Sequence, residues 1–123
     1  AGHESILTFD QNKNYEYIKS DMPPMGIVKY FTESMVKSTT INLKDKTFVV
    51  YTDGVTEGYL ENGEELGAEG VQNIINNISD VTPKIIVESI EKKLNWGAEK
   101  LRDDITCMAI NINNTELIKK KKV

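Results

Sequence analysis

Two stretches in the C-terminal half of the chain carry apolar residues at helical spacing. The first stripe is Ala68, Val71, Ile74, Ile75 and Ile78. Its i, i+3, i+4, i+7 spacing predicts an amphipathic helix over residues 68–78. A second helix is predicted to begin at Thr82 as N-cap, with Pro83 at the first helical position, and to end near Gly97. Its inward-facing stripe is Ile86, Val87, Ile90 and Leu94, and we expect the two helices to pack together on one face of a sheet.

The remaining apolar runs are short and rich in β-formers. Residues 5–9 form one strand, and Tyr15–Ile18 is a short strand within a polar, then Pro-rich, connection. Residues 33–43 are predicted as a further β region, joined by a tight turn at 43–46 to a strand over 47–52, so that the two form an antiparallel hairpin. Residues 105–112 are apolar on both faces, which is typical of a buried central strand. Strands followed by two helices and a returning strand predict an α+β domain.

Composition limits the classes of function. With 123 residues, 39% of them hydrophobic and 28% charged, the chain fits one compact domain. A formal net charge of -4 argues against a nucleic-acid-binding surface, and the lysines at 119–122 are expected to be a solvated tail. Neither a membrane-spanning stretch nor a signal peptide is found, so we expect no membrane contact and a cytoplasmic location. The single cysteine, Cys107, lies in an apolar strand pattern and is expected to pack in the core rather than act as a nucleophile.

Acidic residues stand at the ends of two predicted strands. Asp53 follows the strand over 47–52, whereas Asp103 and Asp104 precede the strand over 105–112. If these strands are antiparallel neighbours, the carboxylates meet at one edge of the sheet, where their repulsion would be relieved by a bound cation. Oxygen ligands suit Mg²⁺ or Mn²⁺. However, "TDG" is also a good turn sequence and "RDD" also fits plain solvated polarity, and from the pattern alone this structural interpretation is preferred.

Four motifs occur in order along most of the chain. They are "AGH" at 1–3, "PMG" at 24–26, "LKDKTFVVYTDGVTEGYLENGEELGAEGVQNII" at 43–75 and "DDIT" at 103–106. Together they resemble bacterial PP2C-type (PPM) serine/threonine phosphatases of the SpoIIE and RsbU kind. The resemblance implies a PP2C-like β-sandwich flanked by helices. It also favours the metal-binding interpretation of the acidic residues over the turn interpretation.

The resemblance assigns roles to individual residues. It implies that Asp53 and Asp103 are ligands in a dinuclear Mn²⁺ or Mg²⁺ centre, and that Asp104, at a position that is often Asn, belongs to the metal site by supporting a ligand. Gly54 would let the backbone turn close to the site. Glu57 has no role that we can derive, and we expect it to help fix the loop. His3 is expected to pack or hydrogen-bond at a strand end.

The implied reaction is hydrolysis of phosphoserine or phosphothreonine in a protein, such as a phosphorylated anti-sigma-factor antagonist, under an upstream sensory or receiver domain. In the resembled family, the other half of the metal site lies ahead of "AGH". We therefore expect residues 1–113 to be the C-terminal half of the phosphatase domain, followed by a basic tail at 114–123. The isolated chain would be inactive and its uncovered sheet would favour a homo-oligomer.

Two other classes of protein compete with this interpretation. A response-regulator receiver would need its acidic pair on the first strand, whereas here the pair comes last. A non-catalytic interaction or degenerate half-domain would keep the fold without the chemistry, and this is the stronger alternative.

Overall fold

The computed structural model describes residues 3–94 and 103–112, which form an α+β arrangement. The strands are β1 (Ile6–Asp10), β2 (Tyr15–Ile18), β3 (Lys46–Tyr51) and β4 (Cys107–Asn111). The helices are α1 (Asp53–Thr56), α2 (Gly67–Asn76) and α3 (Pro83–Lys93). The described strands form a four-stranded antiparallel sheet in the order β2-β1-β3-β4.

The first two strands form a hairpin because the turn between them satisfies its own polar groups. The Asp10 carboxylate accepts hydrogen bonds from the backbone N–H groups of Asn12 and Asn14 and from the Asn14 side chain. These bonds, led by the one from the Asn14 side chain, hold the pKa of Asp10 below its usual value. Lys13 takes a positive φ of 59° to complete the turn. The resulting register pairs Ile6 with Ile18 and Phe9 with Tyr15.

The core lies between one face of the sheet and the two longer helices. Alternate residues of β1 and β3 point to this face, as expected for half-buried strands, and they meet the apolar stripes of α2 and α3. The buried residues of this cluster are Leu7, Phe9, Val49, Tyr51, Val55, Leu66, Val71, Ile74, Ile75, Ile86, Ile90 and Leu94. The prediction that both helical stripes are buried is therefore confirmed for most of their residues, with Ile78 partly buried at the margin, whereas Val87 is half-buried and lies outside this cluster.

The two predicted helices are confirmed as α2 and α3, which end at Asn76 and Lys93, whereas Gly97, near which the second was predicted to end, lies outside the described residues. Helix α3 begins as expected, with Thr82 as N-cap accepting a hydrogen bond from the Ile85 N–H at 3.4 Å. Helix α2 ends at Asn76, where the Lys13 ammonium donates to the carbonyl oxygens of Asn76 and Ile78, both at 2.9 Å. None of the described helices has the length and hydrophobicity that crossing a membrane requires.

The predicted strand over residues 33–43 is wrong, and so is its hairpin with β3. The segment contains only a short 3₁₀ turn at Glu33–Met35 and is otherwise irregular. Strand β3 has no free edge for it, because β1 pairs along one side and β4 along the other. The segment also buries no apolar face, since Val36 is 56% exposed.

Strand β4 was predicted to be central and buried on both faces, and this is also wrong. Within the described sheet, β4 lies at one edge. Cys107 and Ala109 face the core, while Met108 and Ile110 on the other face are 51% and 40% exposed. Both faces of β4 are apolar in sequence, but among the described residues its packed face is the one towards α3.

Candidate metal site at the ends of β3 and β4

The chain turns directly from β3 into the short helix α1, and this turn carries Asp53. Val55 is fully buried and anchors the turn in the core. The Asp53 carbonyl oxygen accepts hydrogen bonds from the Glu57 N–H at 2.7 Å and from the Thr56 hydroxyl at 3.1 Å. The backbone of Asp53 is thus fixed, whereas its side chain is exposed at the end of β3. The carboxylate is therefore presented to solvent from a held position.

Thr52 joins this turn to the segment before β4. Its N–H donates to the Thr106 carbonyl oxygen at 3.0 Å, and its hydroxyl accepts from the Thr106 N–H at 3.1 Å. The same hydroxyl lies 3.3 Å from the Asp104 carbonyl oxygen, to which it can donate. These bonds extend the β3–β4 pairing one step beyond Tyr51 and Cys107.

Gly54 allows the two acidic segments to touch. A Cβ atom at this position would lie 3.0 Å from the carbonyl carbon of Asp104 and 3.4 Å from Cα of Ile105, and closer still to the Asp104 carbonyl oxygen. These neighbours are backbone atoms, so they cannot move aside as a side chain could. Only glycine fits, which agrees with the expectation that Gly54 lets the chain turn close to the site.

The predicted placement of the acidic residues is confirmed at the level of the backbone. Strands β3 and β4 are antiparallel neighbours, and the Asp53 turn lies against the segment that carries Asp103 and Asp104. Both members of the pair are exposed, and Asp103 Oδ1 accepts a hydrogen bond from the Asp104 N–H at 2.8 Å. The distance between the carboxylates of Asp53 and Asp103 stays a prediction. We expect it to be about 8 Å or less, a separation that one or two hydrated cations can bridge.

The donor chemistry suits a hard cation, but the donor number is small. Within residues 3–94 and 103–112, no group of three or more His, Cys, Asp or Glu side chains is arranged to hold a metal ion. Mg²⁺ commonly keeps several waters and binds through one or two carboxylates, so Asp53 and Asp103 fit part of such a site. The ligand roles of Asp53, Asp103 and Asp104 therefore stay predictions.

Residues 1–113 match the family model of stage II sporulation protein E (SpoIIE). The chain belongs to the SpoIIE family. This is a family of PP2C-type phosphatase domains, so the resemblance drawn from the four motifs is confirmed. No curated protein and no solved structure matches the chain.

Beside Asp53, the SpoIIE-family chain has an open pocket of about 400 Å³. Three strand ends meet there: the start of β1, the end of β2 and the end of β3. The lining residues are His3, Glu4, Ser5, Lys19, Ser20, Thr52 and Asp53. Sequence reasoning missed Glu4, Lys19 and Ser20, because their proximity to Asp53 depends on the register of the β1–β2 hairpin.

The other residues considered in the sequence are His3, Glu57 and Cys107. His3 Nδ1 donates to the neighbouring Glu4 carbonyl oxygen at 2.8 Å, which confirms its expected hydrogen-bonding role. The backbone N–H of Glu57 donates to the Asp53 carbonyl oxygen at the end of α1, and the role of its side chain stays a prediction. Cys107 packs against the core, and burial raises the pKa of its thiol to about 11. A thiol protonated at neutral pH is a poor nucleophile, as the sequence analysis expected.

Proposed function

We propose that this chain is part of a metal-dependent protein serine/threonine phosphatase that hydrolyses phosphoserine or phosphothreonine. Membership of the SpoIIE family supports the class of reaction. The observation that carries the proposal is the antiparallel pairing of β3 with β4, which brings the Asp53 turn against the Asp103–Asp104 segment. A phosphorylated bacterial signalling regulator, such as an anti-sigma-factor antagonist, is the proposed substrate, with a sensory or receiver domain controlling the enzyme.

Asp53 and Asp103 would hold Mn²⁺ or Mg²⁺, and Asp104 would support Asp103. When bound, a pair of such cations supplies positive charge that activates water and stabilises the oxygens of the reacting phosphate. The chain's own contribution is positioning. The hydrogen bonds to the Asp53 carbonyl oxygen and the buried Val55 hold the Asp53 backbone, so its carboxylate is not carried on a free loop.

Phosphate-ester hydrolysis of this kind needs no covalent enzyme intermediate. The protonated, partly buried Cys107 is consistent with this, since it faces the core rather than the pocket. The proposal therefore assigns no nucleophile to the chain.

A non-catalytic binding domain remains the second candidate. The observation that favours it is the lack, among the described residues, of three side chains arranged to hold one metal ion. Exposed Met108 and Ile110 on the outer face of β4 would then belong to an association surface, including one between two copies of the chain.

The test is phosphatase activity of the full-length protein on a phosphoserine peptide with Mn²⁺. Asp53→Asn should abolish activity while leaving the fold intact, because a neutral amide has nearly the same shape but binds a hard cation poorly. Asp104→Asn should be milder, with a loss of roughly 10- to 100-fold, as is typical when a residue that orients a ligand is changed. Asp45→Asn is the matched control, because Asp45 is exposed at the other end of the sheet and Asn tolerates its φ of 57°.

The outcomes separate the two candidates. Equal damage from Asp53→Asn and Asp104→Asn would contradict the choice of Asp103 as the ligand of the pair. A wild-type protein that neither binds Mn²⁺ nor hydrolyses the peptide would favour the binding domain.

A further inference from the structure

The pocket beside Asp53 contains a lysine that the metal-site assignment does not use. Ile18, the last residue of β2, pairs with Ile6 of β1. The next residue, Lys19, therefore lies at the same end of the sheet as Asp53. Strand β1 lies between β2 and β3. Two strand spacings of about 4.8 Å place the backbone of Lys19 roughly 10 Å from that of Tyr51, which the continued register sets opposite it, and Asp53 follows two residues later on the far side of the pocket.

Lys19 is available to a ligand. Its side chain is exposed, and the ion pairs formed within residues 3–94 and 103–112 are Lys46–Glu16 and Lys84–Glu88. His3 also lines the pocket, but its Nδ1 already donates a hydrogen bond to the Glu4 carbonyl oxygen. Lys19 is thus the lysine that lines this pocket, together with Glu4 and Asp53.

A phosphomonoester suits this distribution of charge once a cation sits at Asp53. The ester carries close to two negative charges at neutral pH, so the carboxylates alone would repel it. A lysine ammonium is a mobile point charge with three donors, and it is a common partner of phosphate oxygens. The Ser5 hydroxyl on the pocket wall is a further donor for such a group, whereas the hydroxyls of Ser20 and Thr52 lie within donating distance of the backbone carbonyl oxygens of Met22 and Asp104.

We propose that Lys19 is a substrate-binding residue whose ammonium group contacts the phosphoryl oxygens of the phosphoserine or phosphothreonine presented to Asp53. The inference rests on the proposed phosphatase function. It adds a residue from the segment that follows β2 to a site otherwise proposed from the acidic residues at the ends of β3 and β4. Lys19 would hold the phosphoryl group equally in the bound substrate and in the transition state, so its loss should act on substrate affinity.

The experiment compares Lys19→Met and Lys19→Arg with wild type in the full-length protein. Lys37→Met is the matched control, because Lys37 is an exposed lysine outside the pocket. Three quantities are measured for each protein: binding of inorganic phosphate in the presence of Mg²⁺, followed by backbone NMR shifts of the pocket residues; kcat and KM for a phosphoserine peptide with Mn²⁺; and the thermal unfolding midpoint.

Lys19→Met should weaken phosphate binding about tenfold and raise KM by a similar factor, the loss expected for one charge-assisted hydrogen bond. Its kcat should stay within about threefold of wild type, and its unfolding midpoint should be unchanged. Lys19→Arg keeps the charge and should restore both affinities to within about threefold. Lys37→Met should match wild type in every measurement.

Unchanged phosphate affinity and KM in Lys19→Met would overturn the proposal. So would a lowered unfolding midpoint with a loss of kcat that Lys19→Arg does not restore, because that pattern indicates a structural role. If wild type binds phosphate in the pocket but hydrolyses no peptide, the proposed phosphatase function fails, and the phosphate titration alone decides whether Lys19 binds the anion.

Discussion

Gly54→Ala tests the contact on which the candidate metal site depends. The added Cβ would overlap the backbone of Asp104, so either the Asp53 turn or the Asp103–Asp104 segment must move. Overpacking of a close contact costs about 1–3 kcal/mol, and the upper end applies here because no flexible side chain can yield. A loss of about 3 kcal/mol corresponds to a fall of roughly 10 °C in the unfolding midpoint of a small domain. The displaced carboxylates should also lose Mn²⁺.

Gly67→Ala is the matched control for this substitution. Gly67 also has a special backbone, with φ of 67°, but an added Cβ would meet nothing within 4 Å. Gly67→Ala should lower the free energy of unfolding by about 1–2 kcal/mol, because alanine is strained in the left-handed conformation, and should leave Mn²⁺ binding unaffected. Thermal unfolding by circular dichroism and Mn²⁺ titration by isothermal calorimetry measure both effects. Wild-type stability and wild-type Mn²⁺ binding in Gly54→Ala would refute the close approach of the two segments.

The other predictions concern the packing around the sheet. Lys13→Met should lower the free energy of unfolding by about 1 kcal/mol in urea titrations, because two carbonyl oxygens at the end of α2 lose a charged donor. Thr8→Val should raise it by about 1 kcal/mol, since the buried Thr8 hydroxyl has no hydrogen-bond partner among the described residues. Burial, the largest cause in both, raises the pKa of Cys107 to about 11 and of Tyr51 to about 12. Stability measured against pH should therefore fall as the pH rises from about 9 to 12, because the unfolded chain releases these protons first; a flat alkaline profile would contradict the burial of both groups.

Helices α2 and α3 could be predicted from the sequence because their signals are local. The apolar stripe from Val71 to Ile75 and the Thr82–Pro83 start each depend on residues within a few positions, and the packed core agrees with them. The meeting of Asp53 with the Asp103–Asp104 segment could also be predicted. It needed only the direction of two strands and the positions of the acids at their ends.

The errors concern properties that depend on partners distant in the chain. A β-type pattern over 33–43 becomes a strand only if an edge is free to pair with it, and β1 and β4 occupy both edges of β3. Whether β4 is central likewise depends on a second strand pairing with it, and whether its outer face is buried depends on what packs against Met108 and Ile110. The position of Lys19 near Asp53 could not be predicted either, because it follows from the pairing of Ile6 with Ile18.

The pairing of β3 with β4 also determines when the acidic residues can meet. The hydrogen-bonded residues Thr52 and Asp104 are 52 positions apart, and Thr47 and Asn111 are 64 apart. Contacts of such separation form late because a long loop must close first, whereas the β1–β2 hairpin is local. During synthesis the chain can thus build its hairpin and begin its helices before the Asp103–Asp104 segment reaches Asp53. Detachment of β4 in the finished protein would separate the acids again, well short of global unfolding.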